Sequence, residues 1–247
     1  MFLSLYLRPV MRALFRFLAA FIILFLFTGS RDSSPEFLNF TKEFYTDLGH
    51  PELDFDAFHK GISGYYYLLS NNKLKNTRYL SIADLSKSAN VERYYLIDMI
   101  NKSMVKKSLI AHGKNTGDEY AKYFSNIVSS NQTSLGFYST AETYNGCNGL
   151  SMRMDGLEYC NNKARERAIV VHKADYVSHD FIKENGRLGR SFGCPALPIK
   201  GYEKTINKIK NGSCFFIYYT DNKYFQKSQI LKKSAKININ QNGEILL

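Results

Sequence analysis

The stretch GRLGRSFGCPALP, residues 186–198, sets one cysteine, Cys194, between a glycine and a proline, just after two arginines. A structural cysteine normally lies inside an apolar run. This one is flanked by residues that bend the backbone. The thiolate is the nucleophilic form of cysteine, and nearby cations or a histidine lower the thiol pKa from its usual ~8.5. Arg187 and Arg190 bring positive charge close in sequence. Gly193 allows close backbone approach and conformations that a side chain blocks, and Pro195 fixes the next turn. The pattern reads as an exposed nucleophile at a bend, where backbone N–H groups can hold a developing oxyanion.

Such a nucleophile needs a base. Five histidines are present, at 50, 59, 112, 172 and 179. His172 closes the β-prone run RAIVVH and is expected to emerge at a strand end. His112 also ends a strand-like run, SLIAHG. His179 reads as a solvated loop residue, and His50 and His59 belong to an N-terminal arm and helix. His172 is therefore the candidate base. A zinc site from His172, His179 and Cys194 would lack any tight ligand pair, and neither metal nor cofactor is expected. Of the other cysteines, Cys214 in SCFFIYY belongs to a core strand. Cys147 and Cys160 flank GLSMRMDGLE and either bridge to each other or stay free.

The elements that must position these groups are short. Residues 52–70 place Phe55, Phe58, Ile62, Tyr65, Tyr66 and Leu69 at helical steps, although Gly61 and Gly64 weaken the pattern. Residues 31–50, with Pro35, read as a linker or a loosely docked arm. From Tyr79 the period changes: RYLSIADLS, RYYLIDMI and VKKSLIAHG are β-prone runs separated by polar turns. Residues 115–131 read as a loop or short helix. SLGFYSTAETY, GLSMRMDGLE, RAIVVHKADYV and SCFFIYYT give four more strands, and YEKTINKIKNG (202–212) a short helix before the last of them. Many short strands with few helices indicate a mostly-β sandwich or barrel. The tail 226–247 has no clear assignment.

Lys and Arg number 33 against 22 Asp and Glu, a formal net charge of +11. Arg8, Arg12 and Arg16 precede the uncharged FLAAFIILFLF (17–27), followed by Thr28, Gly29 and Ser30. A basic start, a short apolar run and a small-residue exit form the pattern of a signal peptide. The alternative is an uncleaved membrane anchor, although the run is short of the ~20 residues that span a bilayer. Both place the rest of the chain outside the cytoplasm, as an exported protein; if the source is bacterial, the expected location is the periplasm or cell envelope. There its basic surface would meet cell-wall polymers, anionic lipids or acidic peptides rather than nucleic acid.

The histidine precedes the cysteine, the reverse of NlpC-type and papain-like peptidases. A sortase needs an arginine after its cysteine, and no arginine follows Arg190. The residues AIVVHKADYVS…GRLGRSFGCPALP resemble the murein L,D-transpeptidase catalytic domain of the YkuD-like group, whose core motif is a histidine and then Ser/Thr-x-Gly-Cys. Here these are His172 and Ser191-Phe192-Gly193-Cys194. AHGKNTGDEYAKYFSN, SLGFYSTAETYNG and ARERAIVVH extend the similarity over roughly residues 60–220. Phe192 stands where the widespread motif has histidine. Pro-Ala-Leu-Pro follows the cysteine where it has Arg or Asn, and Lys173 follows the histidine where it has glycine.

The resemblance implies an L,D-transpeptidase-like β-sandwich or barrel with a few short helices and an N-terminal helical extension. It divides the chain into a signal or anchor (1–30), a linker and helical extension (31–75), the catalytic domain (76–225) and a tail (226–247). It implies a monomeric cysteine acyltransferase acting on peptidoglycan stem peptides through a thioester, with 3→3 cross-linking or L,D-carboxypeptidase outcomes. Membrane contact would come only through an uncleaved anchor. Cys194 and His172 would be catalytic, with the Gly193 and Cys194 N–H groups as oxyanion donors. Ser191 would support His172 or the substrate, and Asp175 or a backbone carbonyl would orient His172. Arg190 would replace the missing downstream arginine as a bidentate carboxylate anchor, or else pair within its own loop. The alternatives are a non-catalytic peptidoglycan-binding module and a different cysteine acyltransferase or amidase on the same fold.

Overall fold

The computed structural model describes residues 34–49, 52–240 and 245–246. The expected signal peptide or anchor, residues 1–30, lies outside them. Among the described residues no helix is long and apolar enough to cross a membrane.

Two helices come first. α1 (Pro35–Asp47) starts on Ser34, whose hydroxyl accepts the Phe37 N–H, with proline in the first turn. Phe37, Phe40, Thr41 and Phe44 are buried on one face. This corrects the expectation of a linker over 31–50: the polar residues there are the solvent face of a docked helix, and its phenylalanines recur at helical spacing. α2 (Phe55–Ser70) is capped by Asp54 and carries the buried Phe58, Ile62, Tyr65 and Tyr66. Its glycines serve packing. A Cβ at Gly64 would lie 2.0 Å from the Phe137 ring, so only glycine lets the helix settle onto the sheet there.

Eight strands form one sheet: β1 (Tyr79–Asp84), β2 (Tyr94–Asp98), β3 (Ser103–Ser108), β4 (Gly136–Gly146), β5 (Gly149–Gly156), β6 (Val170–Lys173), β7 (Ala196–Leu197) and β8 (Cys214–Tyr218). Their spatial order is β3-β2-β1-β8-β4-β5-β6-β7. Neighbours are antiparallel except the β1–β8 and β6–β7 pairs. Every residue of β1, β2 and β8 is buried, and Phe137 and Phe216 stack with ring centroids 4.1 Å apart. Cys214 lies in this core, as its apolar run indicates.

The two ends of the sheet nearly meet. Beyond β3, Ala111 bridges Ala196 of β7 and Gly113 bridges Ser191. The result is a barrel-like, mostly-β domain, and its closing seam is where the chemistry-bearing loop runs. Beneath the seam lies a small cluster of Ala89, Leu109, Ala111, Ala174, Val177, Leu188 and Ala196.

The remaining helices are α3 (His179–Asn185), between β6 and β7, α4 (Tyr202–Ile209), α5 (Asn222–Lys227) and α6 (Gln229–Ser234). α6 packs on α2, and a short ribbon of β9 (Asn238–Ile239) and β10 (Ile245–Leu246) follows. Phe37 and Phe58 before residue 76, and Ile230 and Ile237 after 225, share the main core with the strands. The extension and the tail are therefore parts of one packed body rather than appendages.

Candidate active site

β6 and β7 run parallel, with His172 registered against Ala196. Cys194 stands two positions before that partner, beside Val170 at the start of β6, and His172 is the third residue of the same strand. The loop between Ser191 and Cys194 is held by its own hydroxyl. Ser191 Oγ accepts the Gly193 N–H at 3.0 Å and donates to the Cys194 carbonyl at 2.6 Å. Ser191 therefore shapes the nucleophile's backbone. From the other side, Thr133 Oγ1 donates to the Gly193 carbonyl and accepts the Gly113 N–H. Gly193 has φ +122, and a Cβ there would lie 2.9 Å from the Gln132 carbonyl. Only glycine suits both demands.

Cys194 is half-buried, not exposed as expected. The turn directs its sulfur inward, and Phe192 takes the outward position, 72% exposed, beneath the Lys114 ammonium. The thiol lies 3.7 Å from the Ala168 carbonyl and receives the Val170 N–H at 3.5 Å. Ala168 has φ +51, a left-handed conformation costing a non-glycine residue about 1–2 kcal/mol. It turns the chain so that its carbonyl faces the sulfur. Burial pushes the Cys194 thiol pKa up, opposed by the Val170 N–H and by the charge of Arg167.

His172 is buried, and its Nδ1 lies 2.7 Å from the Lys173 carbonyl. A carbonyl only accepts, so Nδ1 carries the hydrogen and the neutral ring keeps its lone pair on Nε2. A backbone carbonyl thus fixes the tautomer. Asp175, the other candidate orienter, instead accepts the Tyr176 N–H. Burial lowers the His172 pKa, against the Lys173 bond that raises it. Both shifts favour a resting pair of neutral thiol and neutral imidazole over a thiolate–imidazolium pair. Among the described residues no hydrogen bond joins Cys194 to His172.

Arg190 sits beside this loop but faces away from the sulfur. Its Nη1 donates to the carbonyls of Lys114 and Gly117 and to Asp118 Oδ1 at 2.6 Å. It braces the 114–118 turn, which in turn receives the loop: the Lys114 N–H donates to the Ser191 carbonyl at 2.7 Å. Arg187 Nη1 bonds the Leu188 carbonyl. Sequence reasoning missed three supports of the site: Thr133, the buried Arg93–His112 pair, and Arg167. Arg167 stood in the quoted run ARERAIVVH, but its role depends on loops distant in sequence. His112 accepts from Arg93 Nη2 at 2.7 Å and donates to the Gly117 carbonyl at 3.2 Å, under the Arg190 turn.

All four cysteines are free: Cys147 exposed at the β4–β5 hairpin tip, Cys160 partly buried and Cys214 buried. Among the described residues no group of three His, Cys, Asp or Glu side chains is arranged to hold a metal.

The fold and site define a β-rich domain with a histidine on one of two adjacent parallel strands and a cysteine two residues before the other, at a closing seam. The family model of the L,D-transpeptidase catalytic domain, YkuD_2, matches residues 49–218, and the chain belongs to that family. No curated protein sequence matches it. Similar solved structures include an L,D-transpeptidase from Mycobacterium smegmatis, with 12% identity, a TM-score of 0.37 and coverage of 57% of this chain and 59% of that one. The helical cell shape determining protein Pgp2 from Campylobacter jejuni gives 13%, 0.37, and 71% and 60%. The L,D-transpeptidase from Xylanimonas cellulosilytica gives 13%, 0.34, and 76% and 95%. The match thus spans about three fifths of the length of the mycobacterial protein.

Proposed function

We propose that this chain is a cysteine-dependent L,D-transpeptidase of the bacterial cell envelope, exported through residues 1–30 and acting on peptidoglycan stem peptides. The observation that carries the reading is the fixed tautomer of His172. Its Nδ1–H is committed to the Lys173 carbonyl, which leaves the Nε2 lone pair to serve as the base for Cys194.

The reaction follows from that arrangement. Nε2 takes the Cys194 proton as the sulfur attacks the carbonyl of the L-centre of the stem's diamino acid. The Cys194 N–H receives the developing oxyanion. The Gly193 N–H, the other expected donor, is held by Ser191 in the resting loop. The C–N bond then breaks, His172 returns its proton to the leaving amine, and D-alanine departs. The thioester passes its acyl group to an amine of a neighbouring stem, giving a 3→3 cross-link, or to water, giving an L,D-carboxypeptidase outcome.

Intact-mass spectrometry of the chain with a tetrapeptide muropeptide, and separately with a carbapenem, tests this. The native protein gains the acyl mass and releases D-alanine, and Cys194→Ala gains nothing. A native protein that forms no adduct would sink the reading and leave a wall-binding module on the same fold.

A further inference from the structure

The cations expected to act on Cys194 are occupied elsewhere: Arg190 by the 114–118 turn and Arg187 by a backbone carbonyl. One guanidinium does lie against the nucleophile's loop. A Cβ at Gly193 would stand 3.3 Å from Arg167 Nη2. Arg167 immediately precedes Ala168, whose carbonyl faces the Cys194 thiol.

Arg167 is half-buried, with both terminal nitrogens of its guanidinium engaged, yet none of their partners is charged. Nη1 donates to the Ser125 carbonyl at 2.8 Å and to Ser134 Oγ; Nη2 donates to Ser130 Oγ and the Gln132 carbonyl. Among the described residues no carboxylate forms an ion pair with it. A guanidinium held by neutral dipoles keeps its charge uncompensated, and a low-dielectric surrounding lengthens that charge's reach. The same bonds gather residues 125–134, including Thr133, which supports the Gly193 carbonyl.

We propose that Arg167 is a positioning residue that presses an uncompensated positive charge against the Cys194 turn and stabilises the anion formed there, first the thiolate and then the tetrahedral oxyanion. The inference rests on Cys194 being the nucleophile. The other ionisable groups around the sulfur are His172 on β6 and Tyr176 just after it, with Tyr138 of β4 beside Arg167. In the neutral forms of His172, Tyr176 and Tyr138, Arg167 is the only cation of the set. Its charge lowers the Cys194 thiol pKa against the larger upward push of burial.

The test is the pH dependence of Cys194 alkylation by iodoacetamide in the full chain, read by peptide mass spectrometry. Native protein, Arg167→Gln and Arg167→Lys are compared in a Cys147→Ser background, with folding followed by circular dichroism. Loss of the charge in Arg167→Gln should move the alkylation midpoint up by about one pH unit, a roughly ten-fold slower reaction at a fixed pH below it. Arg167→Lys should restore most of the shift while melting lower, because the guanidinium's bonds are lost. A folded Arg167→Gln with the native profile would overturn the inference and leave the nucleophile intact. A native Cys194 that resists alkylation at every pH would overturn the nucleophile and the inference together. If Arg167→Gln does not fold, the native chain decides, with the exposed Cys147 as internal reference. A greater preference for iodoacetate over iodoacetamide at Cys194 than at Cys147 supports the charge, and an equal or smaller one overturns it.

Discussion

Two histidines lie in extended segments on either side of β7, and their rings are held in different ways. His112 follows β3 and is 1% exposed, with both ring nitrogens committed: Nδ1 accepts from the buried Arg93, and Nε2–H donates to the Gly117 carbonyl. His172 is the third residue of β6 and is 7% exposed, with one nitrogen committed, to the Lys173 carbonyl. Among the described residues no hydrogen bond reaches its Nε2. Burial lowers both pKa values, so both rings are neutral near pH 7. Burial and charge state therefore do not separate a base from a brace. The number of committed nitrogens does: a ring bonded at both ends holds a turn in place, and a ring bonded at one end can still take a proton.

Substitutions that exchange these roles give the clearest contrast. His172→Ala removes the base and should slow acyl-enzyme formation by about 10²–10⁴-fold, with little change in thermal stability; stopped mass spectrometry of the carbapenem adduct reads this. The acid limb of the native pH–rate profile should fall below the ordinary histidine value of ~6.5, because burial holds the His172 pKa down.

His112→Leu should do the reverse. It strips an acceptor from a fully buried arginine and should cost about 2–3 kcal/mol in a denaturant melt, with activity lost only as the protein unfolds. Burial, aided by the Arg93 charge, pushes the His112 pKa down to about 3. The unfolded chain therefore binds this proton first. The stability that neutral His112 contributes is complete above ~6.5 and drains away as pH falls from there toward 3. Native melting temperatures should drop over that window, and the His112→Leu variant should lose less.

Gly193→Ala should rank third. It places a side chain at φ +122 against the Gln132 carbonyl, a strain of about 1–2 kcal/mol. Alkylation of Cys194 should respond more than the melting temperature, because the displaced loop carries the sulfur. Ala168→Gly is the mildest. Relief of the left-handed alanine and the greater freedom of the unfolded chain nearly cancel, so stability should change by about 0.5 kcal/mol or less. A loss of Cys194 reactivity in this variant would show that the Ala168 turn orders the thiol.

The sequence carried a good part of this. The helix over 52–70, the seven longer strands and the helix after 202 are readable from apolar period and turn residues, as is the placement of His172 in a strand and of Cys194 at a bend. What it hid has physical reasons. α1 was masked by polar residues that are simply its outer face. β7 is two residues long and lies within a motif of glycine and prolines, too short for any period to register. The inward turn of Cys194 depends on Ala168, an alanine in a conformation its type does not advertise. Arg93 and Thr133 reach the site from segments far from the motif, and Arg167, close to His172 in sequence, is held by residues 125–134, through contacts that no local pattern encodes.

The crossover between His172 and Cys194 has a consequence of its own. α3, which occupies it, buries no residue, while His172 and Cys194 are aligned by the register of β6 against β7. The register of the two residues thus owes little to α3 itself, while Ala174, Val177 and Leu188 on either side of it are buried beneath the seam. A nick within α3 should leave two fragments that reassociate through the sheet, one bringing the imidazole and the other the thiol, with neither reactive until they combine.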